Sequence, residues 1–279
     1  MGASVGRSLG LVAAADAAVQ FACFAVAAAL QSEVFYDFSG SLTYILCVLL
    51  SLRRGGANAR QRVNSAMVIT WASRLGSFLL WRILKDGRDR RFDGVRNRPR
   101  AFAVYWAIQA FWIFVTALPV YVLNAKGGSK REKPKAIEGE QGGDVPERVP
   151  RSLCWRDGVG WALWAVGFAV QVVADMQKTR FKADPANHGR WIDVGLWRLA
   201  QHPNYFGEMS MWWGIFLSCS SELRGLQWAS GISPFFVTYL LMRVSGVPLL
   251  RRQGLKRWGH IPAYQEYLRK TPVLIPLPR

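Results

Sequence analysis

Acidic residues, histidine and cysteine are all scarce in this chain. Its 18 Asp and Glu are outnumbered by 36 Lys and Arg, and there are only 3 His. The four cysteines, Cys23, Cys47, Cys154 and Cys219, lie far apart and form no C-x-x-C pair. This spacing argues against a disulfide framework and against a zinc site, so we predict no metal centre. The cysteines are interpreted as small apolar residues.

Positive charge is abundant, with a formal net charge of +18, and a soluble protein this basic would suggest nucleic acid as a partner. Here, however, the charges lie between long apolar blocks rather than along one face. Hydrophobic residues make up 51% of the chain, and 13 residues are Trp. Apolar segments joined by basic connections are typical of a polytopic membrane protein, so we expect contact with membrane lipids and none with nucleic acid.

Seven apolar segments predict an all-α fold, a membrane helix bundle of about seven transmembrane helices. They run near 8–30, 39–52, 63–84, 101–123, 158–174, 209–219 and 226–250. The second and sixth are shorter than the roughly 20 residues that a perpendicular helix needs, so full crossing and re-entry both stay open for them. The first segment is interpreted as a transmembrane helix rather than a signal peptide, because further spans follow it.

A polar stretch divides these segments into two halves. Residues 126–151 are rich in Gly, Pro and charge and contain no aromatic residue, so we predict a disordered linker over 126–157. It separates an N-terminal half, 1–125, with four helices from a C-terminal half, 158–279. With seven crossings, Lys and Arg are slightly more numerous on the side of 175–208 and the C-terminus, which predicts that this side faces the cytosol.

The segment Gly195–Glu208 concentrates Trp, Arg, His, Asn, Tyr and Glu at the start of an apolar run. His202 precedes Pro203 and is biased to extended backbone, so a helix can begin at Asn204. Glu208 then lies one turn later on the same face. Polar groups at this depth favour a binding site, and the alternative is an interfacial cap anchored by Trp and Tyr.

A second basic segment, Leu249–His260, places Arg and Lys beside an aromatic residue. Two interpretations are equally compatible with it. The cations and rings could hold the phosphates and adenine of a dinucleotide, or they could hold anionic lipid headgroups. Arg74 and Asp16 lie inside predicted spans, and for Arg74 a functional role and a structural ion pair both stay open.

These motifs resemble those of the steroid 5α-reductase-like superfamily of integral membrane proteins. The matching stretches are Gly40-Ser-Leu-Thr-Tyr44, Asp86-Gly-x-Asp-Arg-Arg-Phe-Asp93, Ala174-Asp-x-Gln-Lys178, Gly195-Leu-Trp-Arg198, His202-Pro-Asn-Tyr-Phe-Gly-Glu208, Ser245-Gly-x-Pro-Leu249 and Tyr264-x-x-Tyr267. The C-terminal half of that superfamily is similar to sterol reductases and to isoprenylcysteine carboxyl methyltransferases. The resemblance implies a seven-helix protein of the endoplasmic reticulum with a cofactor pocket open to the cytosol.

In the reductases of this superfamily the cofactor is NADPH, and the resemblance implies hydride transfer to a C=C bond of a lipid or steroid-like substrate. The implied cofactor-binding residues are Asp175, Lys178, Arg180, Lys182, Trp197, Arg198, His202, Asn204, Tyr205, Arg257, Trp258 and Tyr267. The catalytic candidates are Glu208, Tyr44 and Tyr105. The two tyrosines are nominated for the role of holding a substrate carbonyl.

Three departures from the superfamily pattern bear on activity. The steroid reductases hold the substrate ketone with a Glu and a Tyr of the N-terminal half, whereas the second apolar segment of this chain contains no Glu. Gln201 stands where these proteins usually have Arg, and Arg251-Arg-Gln253 replaces a typical Glu-Lys-Arg. These changes keep a non-catalytic protein with a degenerate pocket among the alternatives. An S-adenosylmethionine-dependent methyltransferase on the same scaffold is another. The basic residues in 175–208 and 251–279 favour NADPH, because a methyl donor has no phosphates.

Overall fold

The computed structural model describes residues 2–54, 57–127 and 152–275, and within these ranges the regular secondary structure is entirely helical. The predicted all-α class is therefore confirmed for the described residues. Most of the predicted linker, residues 128–151, lies outside them.

Five helices precede the linker. They are α1 (Ala3–Leu30), α2 (Tyr36–Arg54), α3 (Ala59–Asp86), α4 (Pro99–Thr116) and α5 (Leu118–Asn124). Asn58 begins α3 with a reciprocal capping box to Gln61, and Gly87 ends it with a positive φ of 77°. The axes of α4 and α5 differ by 54°. Pro119 explains this bend, because it cannot donate the backbone hydrogen bond that would continue α4.

Six helices follow the linker. They are α6 (Trp155–Ala183), α7 (Leu196–Leu199), α8 (Pro203–Ser220), α9 (Ile232–Tyr239), α10 (Val247–Trp258) and α11 (Pro262–Lys270). A 3-10 helix, Gly225–Gly231, leads into α9, and a π-helical turn, Leu240–Val244, follows it. The segment from Gly225 to Trp258 is therefore nearly continuous helix. Proline in the first turn starts both α10 and α11, where its missing N–H costs no hydrogen bond.

Packing divides the chain into two units. The first comprises Met1–Asp157 and Cys219–Ser230, and the second comprises Gly158–Ser218 and Gly231–Arg279. The second unit thus differs from the predicted C-terminal half, 158–279, by the segment 219–230, which packs with the first unit.

Three helical segments of the described chain are long and apolar enough to cross a membrane: Ala3–Leu30, Trp155–Ala183 and Gly225–Trp258. The bent pair α4 and α5 is a fourth if it is counted as one span. This is consistent with an integral membrane protein. Helices occupy all seven predicted segments, but α2, α3 and α8 do not meet the same test, and seven crossings stay a prediction. In α3 the reason is charge, because it contains five Arg or Lys and one Asp.

The core of the first unit is partly aromatic. Tyr36, Phe92, Phe102 and Trp106 are almost fully buried and pack around Ala27. Phe92 belongs to the Asp86–Asp93 motif, and its neighbour Arg91 forms an ion pair of 2.6 Å with Asp37 of α2. The connection between α3 and α4 is therefore held by one buried ring and by ion pairs from Arg91 to Asp37 and from Arg96 to Glu33.

Candidate functional site

Helices α6 and α8 of the second unit pack antiparallel through two pairs of glycines. A Cβ atom on Gly160 would lie 2.5 Å from the carbonyl oxygen of Gly214, and one on Gly167 would lie 2.6 Å from that of Gly207. The two glycines of each helix are seven residues, or two turns, apart, so both contacts fall on one face. This close backbone approach sets the register of the two helices.

Two polar pairs follow the glycine contacts toward the C-terminal end of α6. Gln171 donates a hydrogen bond from its amide nitrogen to Glu208, and Asn204 donates one of 3.4 Å to Asp175. Residues 171 and 175 are one turn apart, as are 204 and 208, so the pairs form successive rungs between the helices. Trp212 also donates to Glu208, at 2.7 Å. The structure thus places Asn204 and Glu208 on the face of α8 that meets α6.

Each carboxylate determines how its amide partner is turned. A carboxylate accepts hydrogen bonds, so the NH₂ groups of Gln171 and Asn204 face Glu208 and Asp175. The amide oxygens Oε1 of Gln171 and Oδ1 of Asn204 are consequently buried and have no hydrogen-bond partner among the described residues. Buried polar atoms are normally paired, so these two oxygens are acceptors suited to N–H groups of a ligand.

His202 lies beside these rungs and is 8% exposed. Its ring stacks on that of Tyr205, with centroids 5.3 Å apart and planes inclined by 19°. Burial, and then the charge of Lys178, lower the pKa of His202 to about 4, so the ring is neutral at pH 7. Its Nδ1 atom is buried and has no hydrogen-bond partner within the described ranges.

The segment before His202 is fastened to α6 and α11. The indole nitrogen of Trp197 donates to the carbonyl of Ala174 at 3.0 Å, and the ammonium of Lys178 lies 4.6 Å from the centre of the Trp197 ring. The phenol of Tyr267 donates to the carbonyl of Trp197 at 2.8 Å. Seven predicted site residues therefore do meet in the second unit: Asp175 with Asn204, His202 with Tyr205, and Trp197 with Lys178 and Tyr267.

Sequence reasoning missed the role of Gln201. Its side-chain amide donates to the carbonyls of Leu268 and Thr271, at 3.0 and 2.6 Å, and its backbone N–H donates to Pro272. Gln201, which stands where the superfamily usually has Arg, thus holds the C-terminal end of α11. Nothing in the chain around Gln201 signals this contact, because its partners lie about 70 residues away.

An aromatic cluster lies at the predicted Arg257 and Trp258 position and includes Trp191, which the motifs did not single out. The ring of Tyr264 lies 5.1 Å from that of Trp191 and 5.5 Å from that of Trp258. The guanidinium of Arg257 lies 5.0 Å from the centre of the Trp258 ring. The indole nitrogen of Trp258 donates to the carbonyl of Gly189. A cation and several rings are therefore adjacent, as stacking on a base would require.

The remaining predicted residues lie apart from these contacts. Arg180, Lys182 and Arg198 have exposed side chains in the second unit. Tyr44 and Tyr105 belong to the first unit and have different neighbours: the Tyr44 ring is 5.1 Å from Trp71, and the Tyr105 ring is 5.1 Å from Phe92. Catalytic roles for these tyrosines stay predictions.

Two other features bear on metal and ligand binding. Among the described residues, no cluster of three or more His, Cys, Asp or Glu side chains could hold a metal ion. A cavity of about 400 Å³ in the first unit is lined by Arg60, Ser152, Cys154, Trp155, Arg156 and Ser221. Arg60 already donates hydrogen bonds to Asp157, Glu222 and Ser152. Its charge is therefore compensated within the protein and does not call for an anionic ligand in the cavity.

Comparison with known proteins gives one curated relative and one family. The relative, "Probable O-methyltransferase ustE" from Ustilaginoidea virens, is 29% identical over 103 residues, which is 37% of this chain and 34% of the relative. The chain thus aligns with about a third of that protein's length. No solved structure matches significantly. A family match covers residues 23–271, nearly the whole chain, and the protein accordingly belongs to the family described as "Protein of unknown function (DUF1295)".

Proposed function

We propose that this protein is a membrane-bound, NADPH-dependent reductase of a C=C bond in a lipid or steroid-like substrate. We place it in the endoplasmic reticulum with the cofactor site facing the cytosol. The observation that carries the proposal is the arrangement along the C-terminal part of α6. Buried amide acceptors at Gln171 of α6 and Asn204 of α8 are followed, about two to three turns beyond Gln171, by the α6 cations Lys178, Arg180 and Lys182.

The residues present fit the two ends of a dinucleotide. The unpartnered oxygens of Gln171 and Asn204 would accept hydrogen bonds from the carboxamide NH₂ of the nicotinamide. Lys178, Arg180 and Lys182 would pair with phosphates, for which charge-assisted hydrogen bonds are the strong contacts. The rings at Trp258 and Arg257 would stack on the adenine.

Each residue then has a defined task in reduction. NADPH, when bound, would supply a hydride to one carbon of the C=C bond, and the other carbon would take up a proton from water. Gln171 and Asn204 orient the carboxamide, and Glu208 positions Gln171, because both Glu208 oxygens accept hydrogen bonds from N–H donors. Neutral His202 adds a polar contact without a charge that would attract water.

A second function, methyl transfer from S-adenosylmethionine, is favoured by the name of the curated relative. The ammonium group of that cofactor would also supply N–H donors to Gln171 and Asn204. S-adenosylmethionine carries no phosphate, so methyl transfer would leave the cations at the end of α6 without a role in cofactor binding. This difference separates the two functions experimentally.

The test is ligand-dependent thermal stabilisation of the full chain in detergent. NADPH, NADH and S-adenosylmethionine are compared for wild type, Asn204→Ala and Lys178→Met, with Arg54→Met, an exposed cation of the first unit, as the control. Selective binding raises the melting temperature by mass action. The proposal expects a shift with NADPH that Asn204→Ala and Lys178→Met reduce and Arg54→Met does not.

The other outcomes are equally informative. A shift with S-adenosylmethionine alone would replace reduction by methyl transfer. Folded protein that responds to none of the three would make the non-catalytic alternative the better description. Two NADPH analogues refine a positive result: the thionicotinamide form keeps the NH₂ group and should bind, whereas the 3-acetylpyridine form lacks it and should bind at least about tenfold more weakly.

A further inference from the structure

Helix α10 (Val247–Trp258) has one buried face and one exposed face. Val247 and Gly254 are buried, and Gly254 lies against the phenol of Tyr264 in α11. Away from this buried face, Leu249 and Leu255 are 44% and 46% exposed. Arg252 and Lys256 lie on the same side as Leu249, and the exposed Arg251 and Leu255 lie between that side and the buried face. The exposed surface of the helix therefore combines three cations with two large apolar side chains.

This surface continues a segment that can cross a membrane. The stretch Gly225–Trp258 is long and apolar enough to span, and α10 is its last part. The π-helical turn Leu240–Val244 and Gly246 separate the apolar part of the stretch from α10. Arg243 lies within the π-helical turn, and the cations of α10 begin at Arg251, where the apolar run ends. This is the depth at which Lys and Arg meet lipid headgroups.

The charge on α10 is not compensated within the helix. It contains Arg251, Arg252, Lys256 and Arg257 and no Asp or Glu. In the neighbouring α11, Glu266 is paired with Lys270 at 2.5 Å. Arg257 is not part of this charged surface, because its guanidinium lies over the Trp258 ring and belongs to the proposed adenine contact.

We propose that Arg251, Arg252 and Lys256 form a binding site for the phosphate groups of anionic phospholipids, and that Leu249 and Leu255 enter the adjoining acyl layer. Basic residues near a membrane surface attract anionic lipids, and apolar side chains on the same face add burial. The site would fix the second unit at the membrane surface by a contact that depends on lipid charge and on salt. Lipid binding at this site does not depend on whether the protein is a reductase.

The test compares lipid retention by native mass spectrometry of the full chain in neutral detergent. Phosphatidylglycerol and phosphatidylcholine with identical acyl chains are added to wild type and to the variant R251Q/R252Q/K256Q. The control is R53Q/R54Q/R62Q, which removes three exposed cations from the first unit. We expect wild type to prefer phosphatidylglycerol, the α10 variant to lose that preference by about tenfold or more, and the control to keep it.

Three results would overturn the proposal. One is equal retention of the two lipids by wild type. Another is an equal loss of preference in the control, which would indicate net charge rather than a site. The third is an α10 variant that keeps its lipid preference but loses stabilisation by NADPH, since its cations would then belong to the cofactor site. Should the triple variant fail to fold, Lys256→Gln alone is expected to lower the preference about fivefold.

Discussion

Gln201 illustrates how one side chain that departs from a motif can still be required. Its amide donates to the carbonyls of Leu268, in the last turn of α11, and of Thr271, directly after it. We expect Gln201→Ala to lower the free energy of unfolding by about 1–3 kcal/mol, because two carbonyls lose their donor. Gln201→Arg should cost less, since a guanidinium can also donate to both. Thermal denaturation in detergent measures the difference, and a Gln201→Ala protein as stable as wild type would contradict it.

His202 predicts a pH dependence of stability. Its pKa is about 4 in the folded protein, lowered by burial and by Lys178, against about 6.5 when unfolded. Between these values the unfolded chain binds a proton that the folded protein does not, so stability falls as pH falls through this window. The shift corresponds to about 3 kcal/mol. The melting temperature of His202→Gln should therefore vary less between pH 6.5 and 4.5 than that of wild type. Parallel pH profiles for the two proteins would show that His202 does not contribute.

At the scale of elements, the packing of α6 against α8 depends on which glycines face the partner helix. Gly160 and Gly158 lie two residues apart in α6, yet a Cβ atom on Gly160 would meet the Gly214 carbonyl, and one on Gly158 would meet nothing within 4 Å. Gly158→Ala should be neutral or stabilising by up to about 1 kcal/mol, through helix propensity alone. Gly160→Ala should destabilise by about 1–3 kcal/mol, because a backbone contact must open.

The measurement is again the melting temperature, with NADPH-dependent stabilisation as a second readout. Opening the α6–α8 contact would displace Gln171 from Glu208, so Gly160→Ala is expected to weaken ligand binding as well as stability. Equal melting temperatures for the two alanine variants would show that the close approach of the helices does not limit stability.

The elements themselves could be predicted from sequence more completely than their contacts. Proline and glycine, as at Pro203 and Gly87, place helix ends through local chemistry, and each of the seven apolar runs is helical in the structure. The partners of a side chain depend on which helices pack together. The Gln171–Glu208 pair, the Trp191 cluster and the carbonyls held by Gln201 join residues 37 to 73 positions apart, and no local pattern encodes them. Membrane crossing can be predicted from sequence less well than the helices but better than their contacts. Helix α3, for example, has the length of a span but carries six charges.

At the scale of the whole chain, a largely buried ion cluster joins distant parts of the first unit. Arg60, at the start of α3, pairs with Asp157 at 2.7 Å and with Glu222, which are 97 and 162 residues away. Arg60 and Asp157 are 2% and 1% exposed, whereas Glu222 is 20% exposed. Asp157 also accepts from the backbone N–H of Cys154 at the start of α6. The cluster therefore closes the first unit across three distant parts of the sequence.

Neutralising Asp157 or Glu222 should show how strongly burial changes the contribution of each carboxylate to stability. Asp157→Asn would leave the Arg60 charge buried and only partly compensated, and we expect a loss of about 3 kcal/mol in the free energy of unfolding. Glu222→Gln removes the same charge from a more exposed position, where water screens it, and should cost about 1 kcal/mol or less. Neither variant touches the α6–α8 rungs of the second unit, so stabilisation by NADPH at saturating concentration should persist in both folded proteins. Melting temperatures that fall equally in the two variants would mean that net charge, rather than desolvation of the Arg60–Asp157 pair, sets the stability of this cluster.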